Sequence, residues 1–283
     1  MSNLQLLHIK LRQPSTHYRV PFTFSRRHTY PIPPFSTVIG MLCNILGIRE
    51  QKGEDFENLK KLRMAIYGRY ESLTREYVWF RNLSKSAHEN RFGPEAKRFS
   101  SAANRFLDGV PEHPGGQTPV RVDVLENVEL LIYLGHQEEE FLKKIKEAFQ
   151  KPSGWLYPLH LGRAEDLVII EELQIREIGE KAPVGALPYF AWIPEKSSCI
   201  WNPPEDYDDF FENIYATYHR VPTFYEIRNG VRNFDFVRAK LFEKGGLPLK
   251  PTAEPYKFPW DEVDGKKIPL IFVKIGGGNG SMG

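Results

Sequence analysis

The segment from Arg19 to Gly47 constrains the fold most, because a proline elbow separates two different kinds of sequence within it. The elbow consists of Pro31, Pro33 and Pro34, and each proline fixes its own φ angle and lacks a backbone N–H donor. The run before the elbow is basic and aromatic: Arg19, Phe22, Phe24, Arg26, Arg27, His28 and Tyr30. The apolar run after it predicts a helix over 35–47, capped by Ser36 or Thr37.

The composition is that of a folded protein in a reducing compartment. Of the 283 residues, 41% are hydrophobic and 13% aromatic, which is enough to bury a core. The two cysteines, Cys43 and Cys199, are far apart and predict neither a disulfide framework nor a zinc site. The start of the chain is too polar for a signal peptide, and no run approaches a membrane span. We therefore expect a cytoplasmic protein that does not contact membranes.

The small net charge of +2 hides an uneven distribution. Residues 1–49 carry six Lys or Arg and no Asp or Glu, whereas residues 201–213 carry five acidic residues and no base. A basic end combined with an acidic patch is expected of a protein that binds a polyanion and also docks on other proteins. Two differently solvated faces would explain the same distribution.

The predicted elements follow the order strand, helices, strand, strand, helix, strand. Strands are predicted at 4–12 and 67–83, as a hairpin over 120–134 that turns at 126–127, and at 167–178; helices are predicted at 35–47, 56–66 and 137–150. This βαββαβ order indicates an α+β, ferredoxin-like (RRM-like) domain with an enlarged middle hairpin, over residues 1–179. Residues 180–283 predict a smaller β-rich region, in which Asn229-Gly230 favours a two-residue hairpin turn. Gly40, in the middle of the first helix, predicts a close neighbour there.

The sequence offers little for catalysis. It contains no hydrolase, zincin, P-loop or dinucleotide-binding motif, and its eight histidines are scattered, so neither a cofactor nor a metal is expected. Metal-independent RNA cleavage would need a general base beside a cation. His28 with Tyr30, or His160 with Arg163, could supply these groups, but a histidine beside an arginine is more often structural.

Two basic segments favour RNA binding instead. Arginine offers a planar fork to phosphate, and aromatic rings offer a face to unpaired bases. The first segment provides the candidates Arg19, Phe24, Arg26, Arg27, His28 and Tyr30. The second, an arm over 85–105 with a net charge of +3, provides Lys85, Arg91, Lys97 and Arg98. Either segment alone could be a solvated loop.

A third candidate lies in the segment WLYPLHLGRAED, residues 155–166. Gly162 would allow the backbone to approach a phosphate, and Arg163 would face that phosphate. The alternative is structural: Arg163 would pair with Glu165 or Asp166 at a tight turn.

Two of these segments resemble a known family. YPIPPFSTVIGMLCNILG, residues 30–47, and YPLHLGRAEDLV, residues 157–168, resemble the conserved blocks of the Cas-five family, the RAMP-like subunits of type I CRISPR surveillance complexes (Cascade). The resemblance covers roughly residues 3–178 and is closest to the I-B branch. It implies a ferredoxin-like palm with a thumb at about 81–119, and an antiviral ribonucleoprotein subunit that binds the 5′ handle of the CRISPR RNA.

The resemblance also implies partners. Such a subunit caps one end of Cascade, contacts the first backbone subunit and the large subunit, and meets target DNA only indirectly. One branch of the family cleaves precursor RNA with a Tyr, Lys and His set, but no neighbouring Lys-His pair occurs between the thumb and the hairpin here. We therefore expect a non-catalytic subunit, with two alternatives: a metal-independent endoribonuclease, or a scaffold without direct RNA contact.

Overall fold

A computed structural model describes residues 5–21, 23, 26–82, 106–107, 110–111, 116–195, 200–201, 203–204, 206–228 and 231–276. The chain divides into two compact units. Unit 1 comprises Met1–Tyr18, Tyr30–Ser72 and Leu125–Gly283, and unit 2 comprises Arg19–Thr29 and Leu73–Val124. Among the helices that the model describes, none combines the length and apolar character needed to cross a bilayer.

The described ranges form a mixed α/β protein in which most strand pairs are antiparallel. The helices are α1 (Phe35–Ile45), α2 (Glu54–Lys60), α3 (Glu139–Gln150) and α4 (Tyr207–Asn213), with a 3₁₀ turn at Pro152–Gly154. The strands as far as α3 are β1 (Gln5–Thr16), β2 (Tyr18–Arg19), β3 (Arg26–Arg27), β4 (Thr29–Tyr30), β5 (Arg63–Arg69), β6 (Ser72–Asn82), β7 (Phe106–Leu107), β8 (Val110–Pro111) and β9 (Gly116–Gly135). The later strands are β10 (Ile169–Glu177), β11 (Gly179–Pro183), β12 (Ala186–Leu187), β13 (Phe190–Pro194), β14 (Ile200–Trp201), β15 (Thr217–Arg228), β16 (Val231–Phe242), β17 (Gly245–Gly246), β18 (Lys257–Val263), β19 (Lys266–Pro269) and β20 (Phe272–Lys274).

Unit 1 is built on one large sheet with the strand order β10-β1-β9-β5-β13-β16-β15. β1 lies between β10 and the second half of β9 and is antiparallel to both, with Leu7 opposite Ile175 and Leu134. Its apolar side chains on both faces are almost fully buried, as expected for an inner strand. β13, β15 and β16 belong to this same sheet, so strands from both sides of the predicted boundary at 179 lie together.

A second apolar cluster of unit 1 surrounds α4 and a three-stranded sheet, β11-β18-β19. Phe210 of α4 contacts the rings of Tyr256 and Phe258 edge-on, with centroids 5.2 and 4.9 Å away. Lys240 is buried beside this helix, and its ammonium donates to the carbonyls of Phe211 at 2.6 Å and Ile214 at 2.9 Å. A cation at a helix C-terminus complements the exposed carbonyls and the helix dipole.

Several predicted boundaries differ from the structure. Residues 120–134 lie in one continuous strand, β9, because β1 pairs with it on both sides of Asn127; the left-handed conformation of Asn127 (φ 51°) does not reverse the chain. Ile66 lies in β5 instead of the second helix. Pro34 occupies the N-cap position of α1, and neither Ser36 nor Thr37 caps the helix. The helix over 137–150 and the strand over 167–178 are confirmed as α3 and β10.

Unit 2 is organised around the first half of β9. β3 lies parallel to it, with Arg26 opposite Arg121 and Arg27 opposite Val122, and β6 also pairs with β9. Val120, Val122 and Val124 form a small buried cluster. Most of the predicted thumb, 81–119, lies outside the described residues.

Candidate nucleic-acid interface

Positive charge is concentrated in unit 2. Its residues include eleven Arg or Lys against six Asp or Glu, a net charge of +5, which leaves −3 for unit 1. A net positive charge attracts a polyanion and raises its association rate. We therefore expect phosphates to contact unit 2.

The arginines of the first segment are fixed by strand pairing. Arg26 and Arg121 lie opposite each other on β3 and β9, and both are exposed. Arg27 is partly buried, and its burial, together with the nearby charge of Arg19, lowers the pKa of its guanidinium. Arg26 beside Arg121, and Arg19 near Arg27, are pairs of like charges that repel each other, and a phosphate chain would relieve that repulsion.

Hydrogen bonds close the loop that connects Arg19 to Arg26. The N–H of Val20 donates to the carbonyl of His28 at 2.9 Å, and the Thr23 hydroxyl donates to the Val20 carbonyl at 2.8 Å. Arg19 donates to the Thr23 carbonyl at 3.4 Å. These bonds fix Arg19, Val20, Thr23 and His28 relative to one another before any ligand binds, which reduces the entropy that these residues lose on binding.

His28 is held by a carboxylate that it shares with an arginine. Its Nδ1 lies 2.9 Å from Oδ2 of Asp123, and Nε of Arg75 donates to Oδ1 of the same carboxylate at 3.2 Å. The Asp123 carboxylate is nearly buried, whereas about half of the imidazole is exposed. Because Asp123 occupies Nδ1, the imidazole is oriented with its other nitrogen available to a phosphate oxygen or a ribose hydroxyl.

β6 displays two large rings that are not among the sequence-predicted contacts. Tyr77 and Trp79 are 61% and 59% exposed, and their rings are nearly perpendicular with centroids 6.3 Å apart. Arg75 lies on the same face of the strand, since side chains two residues apart point the same way. The alternation Arg75, Tyr77, Trp79 was visible in the sequence, but only the structure shows that this face is exposed.

Tyr30, one of the predicted stacking residues, has a different role. Its ring is 6% exposed and packs edge-on against Trp192 and His219 in unit 1, with centroids 5.4 and 5.7 Å away. A base could reach this ring only if it displaced those neighbours. We therefore assign Tyr30 to the core, which corrects the expectation that it is an RNA contact.

Arg163 pairs with Asp166, the structural alternative left open by the sequence. Its Nη2 lies 2.9 Å from Oδ1 of Asp166, its backbone N–H donates to Oδ2 at 2.7 Å, and Glu165 is 3.4 Å from Nε. The Asp166 carboxylate is fully buried. Arg163 thus neutralises a buried acid, which leaves little of its guanidinium for a phosphate.

Gly162 is required for the same contact. Its φ of +117° strains any other residue, and an added Cβ would lie 2.6 Å from Oδ2 of Asp166 and 2.9 Å from the hydroxyl of Thr16. The N–H of His17 donates to Oδ2 of Asp166 at 2.9 Å, so this turn fastens the end of β1. The close approach that glycine permits is made by the protein itself, not by a phosphate.

α1 faces a cavity of about 320 Å³ in unit 1, whose lining includes Gly40, Cys43, Asn44 and His160. Nothing in the described chain lies within 4 Å of a Cβ placed on Gly40, which corrects the expectation of a close neighbour. His160 directs Nδ1 to the Pro158 carbonyl at 2.8 Å. The remaining predicted contacts, Phe24, Lys85, Arg91, Lys97 and Arg98, lie outside the described residues.

Known CRISPR-associated proteins resemble this chain in sequence or in structure. Two solved structures that resemble the chain are a "CRISPR RNA-guided surveillance complex" protein (14% identity, TM-score 0.49, covering 87% of this chain and 92% of that one) and a CRISPR protein from Archaeoglobus fulgidus (13% identity, TM-score 0.40, covering 95% and 99%). No curated protein matches the sequence significantly. A family model described as "CRISPR-associated protein (Cas_Cas5)" matches residues 6–235, which is most of the chain. This protein belongs to the Cas-five family of CRISPR-associated proteins.

Proposed function

We propose that this protein binds the 5′ handle of a CRISPR RNA in a type I Cascade complex and caps one end of that complex without cleaving the RNA. The observation that supports this most strongly is the cationic and aromatic surface of unit 2. There, Arg26 and Arg121 lie side by side and exposed, and Tyr77 and Trp79 present open rings. Membership of the Cas-five family supports a role in a CRISPR complex, and the cations and rings of this surface are the groups that bind phosphates and unpaired bases.

The contacts divide by chemistry. Arg19, Arg26, Arg27 and Arg121 bind phosphates, since guanidinium groups match phosphate geometry and are always charged. Tyr77 and Trp79 stack on unpaired bases. His28, oriented by Asp123, donates to a phosphate or a ribose hydroxyl. Phe24 and the arm residues Lys85, Arg91, Lys97 and Arg98 remain predicted contacts, whereas Gly162 and Arg163 are omitted because they serve the Asp166 turn.

We also propose a ferredoxin-like palm for unit 1. The sheet order β10-β1-β9-β5, with α1 between β1 and β5 and α3 between β9 and β10, supports this topology. The proposed partners are the first backbone subunit and the large subunit, with target DNA contacted only indirectly. The acidic first turn of α4 (Asp208 and Asp209) is a candidate surface for one of these proteins.

RNA binding by a charge-matched pair of variants tests this proposal. Arg26→Gln/Arg27→Gln removes two charges from unit 2, and Lys143→Gln/Lys144→Gln removes two from the exposed side of α3. Fluorescence anisotropy with labelled handle RNA should show a Kd at least tenfold higher for the arginine pair than for wild type. The Kd of the lysine pair should change less than twofold. Equal affinities for wild type and the arginine pair would refute the proposed contacts.

The His28–Asp123 pair favours a second candidate, metal-independent cleavage of precursor RNA, in which His28 acts as general base beside a 2′-hydroxyl. Incubating the protein with repeat RNA in EDTA separates the two functions. A binding subunit leaves the RNA intact. Cleavage at one site that His28→Ala abolishes, while His160→Ala retains it, would establish the nuclease.

A further inference from the structure

The β15–β16 hairpin of unit 1 carries a second basic and aromatic face. The two twelve-residue strands pair with Arg220 opposite Arg238 and Tyr225 opposite Phe234. Directly opposed residues share a face of an antiparallel pair, and so do residues two positions apart. One side of the hairpin, called the arginine–aromatic face below, therefore consists of Arg220, Pro222, Tyr225, Ile227, Arg232, Phe234, Phe236 and Arg238.

Contacts between these side chains confirm that they share one surface. The guanidinium of Arg220 lies 4.4 Å from the ring centroid of Phe236, and that of Arg232 lies 4.7 Å from the ring of Tyr225. The rings of Tyr225 and Phe234 are 5.4 Å apart, and those of Phe234 and Phe236 are 6.5 Å apart. Cation–π contacts hold the arginine planes against the rings, so both are pre-ordered for a ligand.

Acidic side chains of the hairpin are directed elsewhere. Glu226 and Asp235 alternate with the face residues and therefore point to the opposite side, where Glu226 pairs with Arg228 at 2.8 Å. Arg238 pairs with Glu195, whose carboxylate lies 3.7 Å from its guanidinium. Within the described chain, neither Arg220 nor Arg232 forms an ion pair with a carboxylate. Two exposed cations on this face thus lack a counter-charge.

The arginine–aromatic face adjoins a groove of about 470 Å³. Tyr225, Arg232 and Phe234 form one side of its lining, and Gly40, Arg49 and Tyr157 also line it. Arg49 adds a third cation, and Tyr157 adds an exposed ring. Glu50 is the one acid among the lining residues that the structure describes, and it is paired with Lys52. The groove therefore offers the same two kinds of group as the face, guanidinium cations and aromatic rings.

The hairpin is poorly suited to pairing with a strand of another protein. β15 is the edge of the sheet, but Pro222 has no N–H to donate, and the pairing register shifts between Pro222 and Tyr225. Prolines and bulges interrupt edge strands and block β-strand addition. The half-buried rings and the exposed arginines without a carboxylate partner instead match the stacking platforms that bind single strands of nucleic acid.

We propose that the arginine–aromatic face is a second binding site, for single-stranded nucleic acid. Bases stack on Tyr225 and Phe234, and phosphates contact Arg220 and Arg232. Stacking on a ring is tolerant of sequence, so this site adds affinity for a single strand without reading its bases. All four residues belong to unit 1, so the site is independent of the contacts proposed for unit 2.

A test uses two unstructured 20-mers, oligo(U) RNA and oligo(dT) DNA, which distinguish the sources of the ligand. Arg220→Gln/Arg232→Gln removes the proposed phosphate contacts. Lys143→Gln/Lys144→Gln removes the same charge from α3 of the same unit, outside the face and from residues that already have carboxylate partners. Each pair is made in the Arg26→Gln/Arg27→Gln background, so that the unit 2 site contributes equally throughout.

We expect Arg220→Gln/Arg232→Gln to weaken binding of both oligonucleotides at least fivefold, and the control pair to change it less than twofold. Two lost phosphate contacts should also make the slope of log K against log salt shallower by about 1.4. Weakening of the RNA alone would assign the site to RNA. Unchanged binding of both oligonucleotides, or equal weakening by both pairs, overturns the proposal, whatever the outcome of the handle-RNA experiment in the parent protein.

Discussion

Oδ2 of Asp166 receives the backbone N–H groups of both Arg163, at 2.7 Å, and His17, at 2.9 Å. One buried carboxylate therefore joins a turn of the family-like block to the end of β1, 149 residues away in sequence. Gln13 adds to this junction, donating to the carbonyls of Leu161 and Asp166. The LGRAED segment thus forms a structural junction, and this junction gives Gly162 and Arg163 a role that needs no RNA contact.

Asp166→Asn should destabilise the fold strongly, because it removes the charge that compensates Arg163 and weakens several buried hydrogen bonds. We expect a loss of about 2–4 kcal/mol in the free energy of unfolding, measured with urea. Glu165→Gln is the matched control: Glu165 is exposed, and its pair with Arg163 should be worth less than about 1 kcal/mol. Equal stabilities of Asp166→Asn and wild type would contradict the junction.

Two glycine substitutions should have opposite effects. Gly162→Ala places a Cβ 2.6 Å from Asp166 at a φ of +117°, and should cost more than about 2 kcal/mol. Gly40→Ala meets nothing within 4 Å and lies inside α1, so it should stabilise the fold by up to about 1 kcal/mol. Thermal unfolding of both variants measures the difference, and destabilisation by Gly40→Ala would mean that the helix face is not open.

Local patterns predicted the elements whose own residues decide their structure. The amphipathic stripe of α3 and the Asn-Gly pair at 229–230 identified α3 and the β15–β16 hairpin. Partners distant in sequence decided the rest. Tyr30 is buried because Trp192 and His219 pack on it, and nothing near Tyr30 in the sequence encodes those neighbours. The turn signal at Asn127 failed because neighbouring strands keep β9 continuous on both sides of it.

The sequence predicts only part of the candidate site, because distant partners also decide which of its side chains lie together. Arg26 and Arg27 were identifiable as phosphate-binding types, but their position beside Arg121 depends on a parallel strand pair 95 residues apart. The pairing of Arg163 with Asp166, only three residues away, was an alternative that the sequence itself provided. The exposure of Tyr77 and Trp79 was not deducible, because aromatic strands are more often buried than exposed.

Stability should fall between neutral and mildly acidic pH because of His8. This histidine is fully buried in β1, neither ring nitrogen has a hydrogen-bond partner in the described chain, and burial lowers its pKa to about 4. The unfolded chain binds the proton below about pH 6.5, so the free energy of unfolding decreases as the pH falls from 6.5 towards 4. Between pH 7.5 and 5 this histidine should contribute a loss of about 2 kcal/mol.

Urea denaturation at both pH values measures this effect, and His8→Leu isolates it from other titrating groups. The variant should be at least as stable as wild type at pH 7.5, because the imidazole makes no hydrogen bond there. It should also lose about 2 kcal/mol less than wild type at pH 5. A pH dependence identical to that of wild type would show that His8 does not titrate as described.

The two kinds of aromatic residue should respond differently in RNA binding. Trp79→Ala removes an exposed stacking ring and should weaken handle-RNA binding by about 5- to 150-fold, equivalent to one stacked base. Tyr30→Phe keeps the core packing and should change the Kd less than twofold. Anisotropy titrations compare them, and the reverse order would place the stacking site at Tyr30 after all.

The salt dependence of handle-RNA binding tests the central claim most directly, because only lost phosphate contacts change it in proportion to their number. Wild type, Arg26→Gln/Arg27→Gln and Lys143→Gln/Lys144→Gln are titrated from about 50 to about 200 mM salt. The arginine pair should make the slope of log K against log salt shallower by about 1.4, and the lysine pair should leave it unchanged. Identical slopes for wild type and the arginine pair, or an equal change in both pairs, would contradict an RNA-binding surface on unit 2.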